Sequence, residues 1–237
     1  MADNEIKIYW AADSTVQTND ITTYPQTGIG QVFSMYTKTG VRVINHAKNG
    51  RSTKSFIDEG RLKAIDEAIG EGDYLFIQFG HNDEKKEDPT RYTEPFSTYI
   101  ENLETYIGVA RNHGAYPVLI TPLERRCFVD DKHLGAGAHS EYVAAMKQAA
   151  EKNNVPLVDL YSMSRVELEK AGEPASRKWY MYFDENLYKN YPEGKQDNTH
   201  LRYEGAVMYA GLIAKGLGAL GGRYRDLLID ELESAVE

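Results

Sequence analysis

The chain of 237 residues carries one cysteine, Cys127. That excludes an internal disulfide framework and any metal centre built on several thiolates. Long apolar runs are missing as well, since no stretch approaches the roughly 20 residues that a membrane-spanning helix needs. The opening "MADNEIKIYW" has neither the basic segment nor the apolar core of a secretory signal. A cytoplasmic protein is therefore expected, although a chain already trimmed of a signal would read the same. Basic charge is in deficit: 27 Lys and Arg stand against 36 Asp and Glu, for a net charge of -9. Neither nucleic acid nor an anionic membrane surface is the expected partner of such a chain; a small molecule or carbohydrate fits better. Low-complexity tracts, fixed-period repeats and a break in composition are absent too, so one domain over residues 1–237 is expected.

What is present is an alternation of short apolar runs with amphipathic stretches. Residues 6–11 read as a buried strand, Ile29 to Tyr36 as a short helix, and "VRVIN" as a second strand running into an Asn-Gly loop. "FIDEGRLKAIDEAIGEGD" spaces Ile57, Leu62, Ile65 and Ile69 as on one helix, and "YLFIQF" is a third strand closed by Gly80. The next helix places Phe96, Ile100, Leu103, Ile107 and Ala110 on one face, with Gly114 as its C-cap. "YPVLITP", a helix from Ser140 to Asn153, the strand "VPLVDLY" and the helix "YEGAVMYAGLIAKGLGAL" complete the series. The tail "RDLLIDELESAVE" reads as a surface or partner-facing helix, which is compatible with a homodimer. Five strands separated by helices predict an α/β fold, a three-layer α/β/α sandwich with a five-stranded parallel sheet covered by helices on both faces.

In such a sheet, ligands bind at the carboxyl ends of the strands. Small polar residues gather there: Asp13 and Ser14 after the first strand, Asn49, Gly50 and Arg51 after the second, and "GHND" (residues 80–83) after the third. Far downstream, "DNTH" sets Asp197 three residues before His200, just ahead of the last long helix. At that spacing on a loop or turn, the carboxylate reaches the histidine Nδ1 proton and leaves Nε2 free to face a nucleophile. These are the parts of acyl transfer. Ser14 supplies a hydroxyl, His200 held by Asp197 a base, and the backbone N–H groups of Ser14 and Gly50 with the Asn82 amide supply three donors for an oxyanion. Asp13 is expected to tie its loop down by accepting backbone N–H groups. Taken singly, each piece has a structural reading: a strand-end serine caps helices, and Asn-Gly makes turns.

Taken in order, "AADSTV", "NHAKNGRST", "QFGHND" and "DNTHL" resemble the four blocks of the SGNH/GDSL hydrolase superfamily, and within it the rhamnogalacturonan acetylesterase-like carbohydrate esterases. The span from residue 11 to residue 201 covers most of the chain. The resemblance implies a flavodoxin-like SGNH hydrolase fold, Ser14 as nucleophile, His200 as base with Asp197 as its orienting partner, and Gly50 and Asn82 in the oxyanion hole. It implies no cofactor and no metal. Its substrate would be an acetylated oligosaccharide or another small acyl ester. One departure stands out: Ala12 replaces the glycine that commonly precedes Asp-Ser, which puts the loop geometry in question.

Around this set, His81 is expected to shape the loop or line the substrate pocket. Arg125 and Arg126 could pair with uronate carboxylates or with surface acids. The segment holding Trp179, Tyr180, Tyr182, Phe183, Tyr188 and Tyr191 could stack on sugar rings or simply pack; Trp179 is the candidate taken for substrate. Acetyl-xylan or a broad range of small esters are alternative substrates. A two-metal phosphoesterase using His81, Asp83, Asp197 and His200, or a carbohydrate-binding homologue without turnover, are the rival classes.

Overall fold

The computed structural model describes residues 5–230. Five parallel strands, β1 (Ile6–Ala12), β2 (Val41–Asn45), β3 (Tyr74–Gln78), β4 (Tyr116–Ile120) and β5 (Leu157–Val158), form one sheet in the order β2-β1-β3-β4-β5. Side chains alternate across it. Ile8, Trp10, Ala12, Tyr74 and Phe76 enter the core on one face, while Tyr9, Ala11, Leu75 and Ile77 enter the core on the other. A sheet buried on both sides explains why these strands read as continuous apolar runs rather than alternating ones.

The helices that cover one face are α2 (Thr53–Asp58), α3 (Arg61–Asp66), α4 (Ile100–Asn112) and α5 (Ser140–Asn153). The other face carries α1 (Ile29–Val32), α6 (Leu160–Ala171) and α8 (Tyr203–Leu220), with α7 (Glu173–Ser176) and α9 (Gly222–Arg225) as single turns. Trp10 anchors this second core, with the rings of Phe33 and Phe76 edge-on to it at 5.1 and 5.4 Å.

Several elements differ from the sequence-based expectation. The single helix expected from residue 56 is two, because Gly60 adopts a left-handed φ of 72° between α2 and α3. Phe96 lies in a π turn that precedes α4 and is 55% exposed, whereas Ile100, Leu103, Ile107 and Ala110 are buried as the helical spacing requires. The added residue per turn rotates Phe96 off the apolar face. "DNTH" is neither loop nor helix cap: it lies within β7 (Lys195–Leu201), antiparallel to β6 (Tyr180–Phe183). In the tail, Leu227 and Leu228 are buried and Leu228 bridges to Thr37, while residues 231–237 of the expected helix lie outside the described residues.

Candidate active site

Register places the first three strand ends side by side, with Ala12 opposite Gln78 and the loop after β2 bonded to β1 through Lys48 N–H to the Ala12 carbonyl, 3.0 Å. Ala12 is the last residue of β1 and its side chain lies in the core, with no positive φ. A methyl group therefore fits where the family commonly has glycine. Just beyond it, Asp13 Oδ1 accepts the Thr15 N–H at 2.9 Å and the Thr15 hydroxyl at 2.8 Å, which fixes the turn that carries Ser14.

The partner of Ser14 arrives from the far end of the chain. In the β6–β7 ladder Tyr180 pairs with Leu201 and Tyr182 with Gln196, so the register shifts between them and Asp197–His200 bulge out of the ladder. That bulge delivers His200 Nε2 to within 2.9 Å of Ser14 Oγ. Asp197 Oδ2 takes the His200 Nδ1 proton at 2.7 Å, and its Oδ1 accepts the backbone N–H groups of Thr199 and His200 at 2.9 and 3.0 Å. Burial works to raise the Asp197 carboxyl, but the His200 ring and these N–H groups overcome it and hold the carboxyl well below its ordinary range. The same i, i+3 pairing of Asp with His occurs at Asp130 and His133, where Nδ1 is 2.9 Å from Oδ2, but there both side chains are exposed on the surface.

Three donors surround Ser14. Neither the Ser14 nor the Gly50 N–H is given to another group among the described residues. Gly50 sits at φ 75°, a conformation that glycine adopts without cost. The Asn82 amide gives one N–H to the Arg51 carbonyl at 3.1 Å, while its oxygen is held by Arg91 at 3.2 Å. Its second N–H is left for a ligand. Gly80, at φ 151°, turns the chain from β3 into this loop where a Cβ would meet Pro122 at 2.8 Å.

The loops carrying these donors are bolted from below. Asp83 accepts the N–H and hydroxyl of Thr53 and the hydroxyl of Thr93, joining the Gly50 loop to the Asn82 loop. Tyrosine hydroxyls from the helical layer reach backbone carbonyls of the same loops: Tyr99 to Phe79, Tyr106 to Thr53, and Tyr142 to Asp83. Ser14, Gly50, His81, Asn82, Asp197 and His200 share one open groove of about 390 Å³.

The sequence profile of the GDSL-like lipase/acylhydrolase family matches residues 13–206. This chain belongs to that family. It is 42% identical to the rhamnogalacturonan acetylesterase RhgT of Bacillus subtilis over 97% of both chains. It is also 42% identical to the probable rhamnogalacturonan acetylesterase YesY of the same organism, over 94% of this chain and 98% of that one. The crystal structure of an acetylxylan esterase from Geobacillus stearothermophilus superposes with a TM-score of 0.63 at 15% identity, covering 90% of this chain and 94% of that one, which shows the shared fold.

The remaining candidates fall into three groups. His81 lines the groove as expected, buried, with its ring 4.2 Å from that of His139 and both its nitrogens without a partner among the described residues. Burial first, and then the neighbouring His139 ring and Arg125 guanidinium, push the His81 ring well below its ordinary value, so it is a neutral wall. Arg125 also lines the groove, but its guanidinium is committed to Glu84 at 2.9 Å and to His139 at 3.3 Å. Trp179 and Arg126 lie elsewhere. Trp179 packs against the core under α8, and Arg126 is 2% exposed, ion-paired with Glu173 and bonded to Asn198 Oδ1 at 2.8 Å. None of the six aromatic residues of segment 179–191 lines the groove; Tyr180 is fully buried with its hydroxyl 2.6 Å from that of Tyr209. Sequence reasoning missed Lys85 and Arg91 as groove residues. Both lie in a polar loop whose pattern carries no periodic signal, and "GHNDEK" shows only that Lys85 is near Asn82 in sequence, with Arg91 farther along the same loop.

Of the ligands imagined for a two-metal site, His81, Asp197 and His200 line the groove and Asp83 does not, and no three His, Cys, Asp or Glu side chains among the described residues are grouped so as to hold a metal ion. Asp83 is turned onto Thr53 and Thr93, and Asp197 onto His200.

Proposed function

We propose that Ser14, His200 and Asp197 form the catalytic triad of a rhamnogalacturonan acetylesterase-like carbohydrate esterase, with Ser14 N–H, Gly50 N–H and Asn82 Nδ2 as its oxyanion hole. The observation that carries this reading is the continuous relay from Asp197 Oδ2 through the His200 ring to Ser14 Oγ, with links of 2.7 and 2.9 Å. Membership of the acylhydrolase family and 42% identity to rhamnogalacturonan acetylesterases over nearly the whole chain support the esterase class and the acetylated carbohydrate substrate.

In this reading Ser14 Oγ attacks the acetyl carbonyl while His200 Nε2 takes its proton. Asp197 keeps the Nδ1 proton in place and stabilises the imidazolium. The negative charge that develops on the carbonyl oxygen falls among donors already oriented by Arg91, Arg51 and the left-handed Gly50, so little reorganisation is needed as the reaction proceeds. His200 then returns the proton to the departing sugar oxygen, and the acetyl group stays on Ser14. Water, activated by the same imidazole, releases acetate. None of these steps calls for a metal or cofactor.

Acetate release from acetylated rhamnogalacturonan oligosaccharides, with Ser14→Ala as the comparison, tests the assignment. The variant should stay folded, lose activity by several orders of magnitude and resist labelling by a fluorophosphonate. Substantial turnover by Ser14→Ala removes the serine from the mechanism. Because an acetylxylan esterase shares the fold, acetylated xylo-oligosaccharides are the natural second substrate in the same assay.

A further inference from the structure

The groove that holds Ser14 offers an acyl chain almost nothing to rest on. No apolar side chain lines it among the described residues, and its only rings are those of His200 and His81. His81 is 3% exposed, and both its ring nitrogens are enclosed without a partner, so what the ring turns toward the groove is carbon. It directly precedes Asn82, which sets this carbon edge beside an oxyanion donor rather than in a distant part of the groove.

The ring is also braced from outside the groove. His139, which does not line it, stands against His81 with ring centroids 4.2 Å apart and planes at 77°. The His139 side chain is fully buried, its Nδ1 on Glu84 Oε2 at 2.7 Å and its Nε2 accepting the Arg125 Nε–H at 3.3 Å. Glu84 Oε1 accepts a terminal nitrogen of the same guanidinium at 2.9 Å, and that nitrogen also reaches the His81 carbonyl at 3.4 Å. His139 keeps this place at a φ of 68°, a left-handed conformation that residues with a side chain rarely adopt. Glu84 and Arg125 thus tie the His81 backbone and the ring behind it into one block.

We infer that His81 selects the acyl group: its ring closes the space beside Ser14 to anything larger than an acetyl methyl, and His139, held by Glu84 and Arg125, keeps the ring in place. This rests on the esterase reading above and concerns the acid side of the ester, whatever alcohol is attached. A butyryl group adds two methylenes, and these meet the braced ring or a polar, wet groove. Neither rewards them as an apolar pocket would.

The quotient of kcat/KM for p-nitrophenyl acetate over that for p-nitrophenyl butyrate, measured on the whole protein, reads the acyl limit alone because the alcohol is common to both. For the wild type it should be about tenfold or more. His81→Ala should lower it by about tenfold. His139→Gly suits the left-handed backbone and frees the ring to swing back, so it should lower the quotient by a smaller factor. General damage to the Asn82 loop slows both esters and leaves the quotient where it was. A wild-type quotient near one, or one that His81→Ala leaves unchanged while both rates fall together, overturns the proposal. Should His81→Ala not fold, an unchanged quotient in His139→Gly overturns it instead. If the wild type hydrolyses acetate and butyrate alike, this proposal falls alone. If it hydrolyses neither ester and releases no acetate from acetylated oligosaccharides, the esterase reading falls and takes the proposal with it.

Discussion

His200 Nε2 stands 2.9 Å from Ser14 Oγ although 186 positions separate the two residues in the chain. Neither is placed by its neighbours in sequence. Ser14 is fixed because β1 is an interior strand of the sheet, paired on both sides and followed by a turn that Asp13 locks. His200 is fixed because β7 bulges where it crosses β6. The contact therefore reports tertiary structure and is lost with it.

Asp197→Asn should leave the fold intact and lower kcat by about three to four orders of magnitude, because an amide no longer enforces the tautomer that leaves Nε2 free to accept the serine proton. Steady-state hydrolysis of a simple acetate ester measures it. A loss below tenfold would show that Asp197 is not the orienting group. Its depressed carboxyl also predicts a stability effect. The wild type's advantage over the variant is fully present above the unfolded carboxylate value of about 3.9 and narrows as pH falls below it.

Arg126→Lys is predicted to damage turnover from a distance. The Arg126 backbone N–H and one guanidinium nitrogen hold Asn198, between Asp197 and His200, at 2.9 and 2.8 Å, and the guanidinium stacks over Tyr182 at 4.7 Å. Lysine keeps the charge but cannot reproduce the planar fork that also reaches Ser176 and Glu173. The expected outcome is a lower melting temperature and a kcat reduced about tenfold or more with KM little changed, since positioning of the base is lost rather than substrate contacts. Equal kcat with a raised KM would instead return Arg126 to the role of a substrate-binding residue.

The sheet, its parallel direction and the polar residues at its strand ends were legible because each is a local consequence of sequence. Apolar runs bury both faces, and Gly50 and Gly80 mark turns that require positive φ. The i, i+3 spacing of Asp197 and His200 was legible too, yet its backbone was not. A bulged strand carries the same spacing as a turn, and only the pairing of Tyr180 with Leu201 and of Tyr182 with Gln196 distinguishes them. The aromatic segment was ambiguous for a related reason. Tyr180 is consumed by the core and Tyr182 by Arg126, and which aromatic meets which partner is decided by β6 pairing with β7, a long-range event. Lys85 and Arg91 became visible only when folding brought them beside Ser14.

Tyr142→Phe tests the scaffold under the oxyanion hole. The Tyr142 hydroxyl lies 2.9 Å from the Asp83 carbonyl and 2.6 Å from the Thr93 carbonyl, all buried. The Asp83 carbonyl also accepts the Thr93 N–H at 3.1 Å, so deleting the hydroxyl leaves the Thr93 carbonyl as the unsatisfied acceptor at a cost of about 1–3 kcal/mol, readable as a lower urea midpoint with an unchanged slope. An unaltered midpoint would show that water or a shifted loop replaces the bond.

Asp83 ties the same loops together and makes stability depend on pH in an unusual direction. Burial raises its carboxyl from the ordinary 3.8 to about 7, against the donors of Thr53 and Thr93. Between those two values the folded protein holds a proton that the unfolded chain has released, so Asp83 makes the protein less stable as pH rises from about 4 through about 7. The amide of the Asp83→Asn variant does not titrate. The difference in unfolding free energy between the wild type and Asp83→Asn should therefore shift in favour of the variant across that window and level off above it. Paired urea titrations at several pH values measure that difference directly and cancel the titration of every other carboxylate common to both proteins. A difference that does not move with pH would mean that the Thr53 and Thr93 donors prevail over burial and that Asp83 is ionised throughout. The bond from Thr53 would then be charge-assisted, and Asp83→Asn would weaken the junction of the Gly50 and Asn82 loops at every pH above about 4.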